Sequence, residues 1–297
     1  MPRNVYSTST VTTRQGVELF FHRWQTADGM QPKARIALLH GLGEHGGRYD
    51  AFALALNDAG IELIAVDLRG HGKSSGERAF VRVFDDYLSD VEVLLEACAA
   101  TPPADTPLFL MGHSLGGTIA ALYAAERAEK RALTGLILSS PALRPGKDTP
   151  RWKAQFGRIV GTLWPRRAAF AIDPALLSRA PGVVKAYRRD PLVHHGAISA
   201  RTAAQILAAM ERIADKRAGI ALPYLIFHGG ADAICDPAGS REFEASAGST
   251  DATLVIYDGS FHETLNDLDR DRVIRALIDW TLVRADYARN SSPQRSA

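Results

Sequence analysis

Little in this 297-residue chain marks a specialised class of protein. It has only two cysteines, Cys98 and Cys235, which excludes a disulfide scaffold or a zinc site built on cysteines and makes a reducing compartment the default. It has no surplus of one charge, since 35 Lys and Arg stand against 33 Asp and Glu for a net +2. A nucleic-acid binder needs a concentrated basic excess to neutralise phosphates, so nucleic acid is excluded as a partner. No stretch approaches the roughly 20 uncharged apolar residues that span a bilayer. Residues 1–24 carry Arg3, Arg14 and Glu18 and lack an apolar core of signal-peptide length. A soluble, cytoplasmic protein is expected. Internal repeats are missing too. What is plentiful is apolar: 46% of residues are hydrophobic, enough for a sizeable core in one large domain or two modest ones.

Short apolar runs alternate with longer stretches of helical period, the pattern of a mostly parallel sheet flanked by helices, an α/β class. Strands are expected at Val17–Trp24, Ala34–His40, Glu62–Leu68, Pro107–Gly112, Gly135–Ser140, Pro223–His228 and Ala252–Tyr257. Helices are expected at Tyr49–Ala59, Val83–Ala100, Leu115–Ala132 and Arg270–Arg284. Runs such as Ile36–Leu39 do not alternate, as suits strands buried on both faces. Val17–Trp24 is less regular and reads as an antiparallel edge piece. Residues 144–222 break the alternation: no strand is expected there, only helices punctuated by Pro145, Pro150, Pro165, Pro174, Pro181 and Pro191. Within them, Arg144–Pro191 carries +8 while the rest of the chain carries −6. The segment reads as a helical insertion between two strands, dividing a core of 1–143 and 223–297. Asn290–Ala297 is polar and reads as a frayed tail.

After the strand at Pro107–Gly112 comes Gly112-His113-Ser114-Leu115-Gly116-Gly117, followed by a helical stretch. This is the G-x-S-x-G elbow, a strand-to-helix turn so sharp that flanking side chains would collide, with Ser114 exposed at the top of the sheet. The helix N-terminus there favours developing negative charge. A serine hydroxyl is a weak nucleophile and needs an imidazole oriented by a carboxylate. In this architecture the order is Ser, then acid, then His, each after a later strand. Asp232, in His228-Gly229-Gly230-Ala231-Asp232, fits the acid. His262, in Gly259-Ser260-Phe261-His262-Glu263, fits the base. The bland alternatives are a glycine-rich turn, a capping aspartate and a surface histidine. Agreement in order and strand-end placement weighs against all three.

A tetrahedral intermediate needs two donors aimed at its oxyanion. The backbone N–H of Leu115 is one candidate, and Leu42, in His40-Gly41-Leu42-Gly43-Glu44-His45-Gly46-Gly47, supplies the other. That loop lacks the G-x-x-x-x-G-K-[S/T] form of a phosphate loop. Among the rival histidines, His113 is expected to pack or bond locally, because neighbours on a sharp turn point apart. His194 and His195 read as surface or lid residues, and His22, His45 and His71 have no nucleophile near them in sequence. No histidine has a partner at metal-ligand spacing, so no metal site and no cofactor are expected.

With these residues in place, the chain resembles the α/β-hydrolase superfamily, and within it the monoacylglycerol lipase and lysophospholipase-like group that overlaps with serine aminopeptidases. The likeness rests on residues 40–49, Asp-Leu-Arg-Gly-His-Gly-Lys-Ser at 67–74, Gly-His-Ser-Leu-Gly-Gly at 112–117, Arg-Asp-Pro-Leu-Val at 189–193 and His-Gly-Gly-Ala-Asp at 228–232, and it runs from about residue 10 to 285. It implies the α/β-hydrolase fold, a Ser114–Asp232–His262 triad, an oxyanion hole from Leu42 and Leu115, and a helical cap at 144–222 over an acyl-binding tunnel. Where the group often has a small residue, this chain has Leu42, which narrows the site. Cys235 matches a cysteine of animal monoacylglycerol lipases and is read as structural or merely thiol-reactive.

The start of the insertion places Trp152, Phe156, Ile159, Val160 and Leu163 on one helical face. One reading packs that face onto the core as cap and substrate wall. The other makes it a peripheral contact with lipid surfaces. The expected function is a serine carboxylester hydrolase that cleaves monoacylglycerols or similar single-chain lipid esters, a small-molecule substrate, through an acyl-enzyme. Lysophospholipase or short-chain carboxylesterase activity is the alternative. A serine aminopeptidase ranks lower, because its substrate ammonium calls for carboxylates, and the insertion offers only Asp148, Asp173, Asp190, Glu211 and Asp215 amid many more cations. A non-enzymatic module commonly arises by loss of a triad member, and here all three are present. Acyl length and oligomeric state are not legible.

Overall fold

The apolar runs become strands whose two faces feed two separate cores. Along β3 (Ala34–Leu39), Ala37 and Leu39 face one core while Ile36 and Leu38 face the other. β5 (Leu108–His113) repeats this, with Leu110 on one side and Phe109 and Met111 on the other. A strand buried on both faces has no polar side to alternate, which explains the unbroken runs. The computed structural model describes residues 5–27, 30–145, 157 and 159–291.

Eight strands form one sheet in the order β1 (Val5–Thr12), β2 (Glu18–Gln25), β4 (Ile61–Val66), β3, β5, β6 (Gly135–Ser139), β9 (Tyr224–Gly229) and β10 (Ala252–Tyr257). It is parallel from β4 to β10, and β1 and β2 are antiparallel. α2 (Asp85–Ala100), α3 (Leu115–Arg127) and α6 (Ala238–Glu244) cover one face through Leu88, Val91, Leu94, Ile119 and Phe243. α1 (Asp50–Asp58) and α7 (Arg270–Ser291) cover the other through Phe52, Leu56, Leu277 and Trp280.

Three expectations change. β2 is antiparallel but sits one place in from the edge, because β1 lies outside it. β1 went unseen because Ser7, Thr8, Ser9 and Thr10 are exposed and give no apolar signal. α7 runs past Arg284 to Ser291, so Asn290 and Ser291 are helical, and residues 292–297 lie outside the described ones.

The third change concerns the segment between β6 and β9. It adds nothing to the large sheet, but it does hold strands: β7 (Ala168–Phe170) and β8 (Ile198–Ser199) pair as a small antiparallel ribbon too short to leave a pattern. The segment also holds a helical turn at 159–163, then α4 (Pro181–Arg189) and α5 (Ala200–Lys216). Pro181 starts α4 without losing a needed donor, and the Ser199 hydroxyl caps α5 by accepting from Thr202 N–H at 3.1 Å. Thr202, Ile206, Ala209, Met210 and Ile213 are buried at helical spacing, so α5 lies across α3 with its apolar face down.

Candidate active site

Loops at the carboxyl ends of β3, β5, β9 and β10 meet at one place, where open parallel sheets commonly hold ligands. Ser114 is the single residue between β5 and α3, held at φ 53° and ψ −115°. That is costly for a residue with a side chain, at about 1–3 kcal/mol. Three backbone bonds offset it: Ser114 N–H donates to Ser139 O at 3.0 Å, and Ser114 O accepts from Thr118 and Ala142 at 3.1 and 3.2 Å. The neighbouring glycines are steric requirements. A Cβ on Gly112 would lie 2.1 Å from Gly116 O, and one on Gly116 would lie 2.2 Å from Leu39 O.

The acid and the base come from adjacent parallel strands. Gly229 at the end of β9 lies so close to the β10 loop that a Cβ there would meet Phe261 O at 2.1 Å. Just beyond, Asp232 Oδ2 accepts from His262 Nδ1 at 2.7 Å and from His228 Nε2 at 3.0 Å. Its Oδ1 accepts from the N–H groups of Ile234 and Cys235 at 2.8 and 2.9 Å. Burial alone would raise this carboxyl, but the charge of His262 and the bonds from both imidazoles hold it well below the usual carboxylate range. Burial likewise opposes a proton on His262, yet Asp232 outweighs it and holds the imidazole above the ordinary histidine value.

The Ser114 hydroxyl bonds Cys235 Sγ at 3.9 Å, and among the described residues no hydrogen bond joins it to the His262 ring. Serine and imidazole nevertheless line the same small cavity, and such contacts tighten when substrate binds. Leu42 and Leu115 border Ser114 as well, and neither backbone N–H has a hydrogen-bond partner among the described residues. Two amides left open beside a strained serine suit an oxyanion.

Two cavities meet at Ser114. The larger, about 270 Å³, is apolar and runs between Leu42, Phe170, Ile172, Ile206, Leu207 and Met210. The smaller, about 20 Å³, has a mixed lining in which Glu44, His113, Tyr187, His262 and Glu263 join Leu42, Ile172, Leu177 and Ile234. Of the cap residues expected from sequence, Ile159 and Leu163 are 55% and 61% exposed and line neither cavity, while Gly161 turns inward against α5. Trp152 and Phe156 lie outside the described residues. The lining residues from β7, α5 and their loops carried no motif and were missed.

The polar side was missed as well. His113 bonds locally as expected, its Nδ1 lying 3.1 Å from Ser139 Oγ, but its ring also stands 4.8 Å from that of His262. Burial and the neighbouring His262 push His113 down to about 4. The partly buried Arg48 guanidinium donates to Glu44 at 2.5 Å and to both Glu263 oxygens at 2.7 and 2.8 Å, joining the β3 loop to the loop of His262. Glu44 in turn accepts from Gly41 N–H at 2.6 Å and from the Tyr49 hydroxyl at 2.9 Å. The only sequence signals for this network were the Glu44–Arg48 spacing and the adjacency of Glu263 to His262.

Elsewhere, donor atoms of His22, His45 and Asp67 lie within 4.8 Å of one another, a geometry that could hold a metal ion. Its carboxylate is already engaged: Asp67 accepts from Gly46 and Lys73 N–H at 2.7 and 2.8 Å and from His22 Nε2 at 3.0 Å. These bonds tie the 67–74 stretch to the β3 loop.

A family model described as serine aminopeptidase, S33, matches residues 30–269. The chain is 31% identical over 265 residues to the monoacylglycerol lipase of Mycolicibacterium smegmatis, covering 89% of this chain and 93% of that protein. It is 32% identical over 289 residues to an uncharacterized abhydrolase domain-containing protein of Dictyostelium discoideum, where it covers 97% of this chain but spans only 30% of that protein's length. Among solved structures, the monoacylglycerol lipase of Paleococcus ferrophilus superposes with a TM-score of 0.79 at 33% identity, covering 90% of this chain and 99% of that one.

Proposed function

This chain belongs to the serine aminopeptidase S33 family of hydrolases, and from that premise we propose that it cleaves monoacylglycerols or similar single-chain lipid esters through an acyl-enzyme on Ser114. It is a serine ester hydrolase with a small-molecule substrate. The observation that carries the lipid reading is the apolar cavity of about 270 Å³ that borders Ser114 and suits an acyl chain. The smaller cavity, at about 20 Å³, has room for little more than a water molecule beside His262.

His262, oriented by Asp232, takes the Ser114 proton as the oxygen attacks the ester carbonyl. The N–H groups of Leu42 and Leu115 receive the oxyanion, and His262 returns the proton to the departing alcohol. Water, activated by the same imidazole, then releases the fatty acid. No cofactor enters this sequence.

The segment 144–222 acts as the cap in this reading, with β7 and α5 walling the acyl cavity. Its exposed Ile159, Leu163 and Trp164 beside Arg166 and Arg167 support a peripheral contact with lipid surfaces. No helix among the described residues is long and apolar enough to cross a membrane. A cytoplasmic enzyme that visits lipid surfaces fits these features.

One observation favours an aminopeptidase instead, because Glu44 and Glu263 reach the smaller cavity and a substrate ammonium needs carboxylates. Both already accept from Arg48, whose single positive charge offsets one of the two, and the cavity of about 20 Å³ leaves little room for an ammonium group. A hydrolysis panel of monoacylglycerols, short p-nitrophenyl esters, lysophospholipids and aminoacyl amides decides the matter. Monoacylglycerols should be cleaved fastest, and faster turnover of an aminoacyl amide would overturn the lipid reading.

A further inference from the structure

The loop that carries Leu42 is rich in glycine and has few restraints of its own, yet an oxyanion donor must be held in place. Gly43 stands at φ +80°, and Gly41 precedes Leu42. Such a backbone keeps one pose only if its neighbours impose it. From the core side, Glu44 holds the Gly41 N–H at 2.6 Å, and Asp67 holds the Gly46 N–H at 2.7 Å.

The remaining ties come from a distant turn at 190–194. The N–H of His194 donates to Gly43 O at 2.7 Å, fixing the Gly43–Glu44 peptide, two peptide units on from the one that carries the Leu42 N–H. His45 Nε2 donates to Asp190 Oδ2 at 2.9 Å. The His45 ring is buried and its Nδ1 has no partner, so among the described residues Asp190 is what orients it. Asp190 is itself set by its Oδ1, which accepts from Leu192 N–H at 2.9 Å, and its carbonyl oxygen bonds His195 Nε2 at 3.1 Å. One carboxylate therefore shapes the turn and grips the loop together.

We propose that Asp190 is a positioning residue for the oxyanion hole, holding the Leu42 N–H through His45 and through the His194–Gly43 bond. This rests on reading Leu42 as an oxyanion donor. The turn thereby ties cap placement to turnover, because a displaced 190–194 turn would take both outer ties of the oxyanion loop with it.

The test uses the full-length enzyme, a soluble short ester and a trifluoromethyl ketone that forms a tetrahedral adduct with an oxyanion. Asp190→Ala should lower kcat about 10- to 100-fold, the scale of a donor displaced by a fraction of its bond length, with KM nearly unchanged. Affinity for the trifluoromethyl ketone should fall by the same factor. Affinity for the fatty-acid product should not move. Asp190→Asn, which keeps the shape and one hydrogen bond through the other tautomer of His45, should restore most of the loss. Should Ala not fold, Asp190→Glu carries the same test by moving the carboxylate one methylene. Arg212→Ala breaks ion pairs with Asp85 and Glu126 that join the same segment to the core without touching the Leu42 loop, and it should leave kcat intact. Wild-type kcat in Asp190→Ala, unchanged ketone affinity, or an equal loss in Arg212→Ala would overturn the proposal. Hydrolysis surviving in Ser114→Ala would instead sink the triad reading beneath it.

Discussion

The sheet and the segment between β6 and β9 hold their shapes by different means. Residues of the central strands β4, β3, β5, β6 and β9 are buried on both faces in two extended apolar clusters. Away from α5, the segment has one small cluster of its own, Leu177, Tyr187 and Val193. It relies instead on polar ties to the core: Asp190 to His45, Arg179 to Asp267 and Asp269, Arg212 to Asp85 and Glu126. Apolar burial is non-directional and cooperative, whereas ion pairs at a surface are individually weak and can be exchanged for water. A rigid platform bearing the candidate chemistry under a cover fastened by separable polar links is what an enzyme with an enclosed acyl site needs.

The largest effects should come from the platform. Ser114→Ala should lower kcat by about 10⁶-fold and His262→Ala by a similar factor, both without unfolding. Asp232→Asn should cost about 10⁴-fold. It should also move the acid limb of kcat/KM. His262 must be unprotonated to act and Asp232 raises its pKa, so losing that charge shifts the limb to lower pH. A full pH–rate profile checks the sign, and a limb that stays put means another group orients the imidazole.

Next comes a stability test of the buried charge network. Arg48→Met leaves Glu44 and Glu263 without their cation, which should cost about 3–5 kcal/mol in urea unfolding. A loss under 1 kcal/mol would mean that the two carboxylates find protons or water at little expense.

Changes in the cover should alter substrate choice rather than chemistry. Met210→Trp fills the apolar cavity from α5, so kcat/KM for long-chain esters should drop roughly 10- to 100-fold while a short ester is spared. Equal losses on both would mean that the chain lies elsewhere. The smallest effect is expected at the outer surface. Leu163→Asp with Trp164→Asp should reduce activity on emulsified monoacylglycerol a few-fold and leave soluble esters unchanged, with less cosedimentation on anionic vesicles at low salt.

The same contrast explains what the sequence disclosed. Ser114, Asp232 and His262 were legible because each sits within a few residues of a strand end, where local motif and chain order suffice. The sheet strands were legible because double burial writes itself as an apolar run. β1 was not, since an exposed edge of serine and threonine has no such run. Nor were the walls of the apolar cavity, where Phe170, Ile206 and Ile234 come from three separate segments. The His45–Asp190 and Arg48–Glu263 bonds join residues 145 and 215 positions apart, and no local pattern announces such a meeting.

Gly229 stands opposite Tyr257 in parallel register, Asp232 follows the first by three residues and His262 follows the second by five. Parallel neighbours keep a spacing of about 4.8 Å dictated by backbone bonds alone. The distance from acid to base is therefore metered by the peptide chain and indifferent to most side chains in either loop. Outside Gly229 and Gly259, sequence there should be more tolerant of change than length: inserting one residue between Tyr257 and His262 should do more harm than replacing several. In evolutionary terms, the pair behaves as a gauge block, open to retouching on every surface except its thickness.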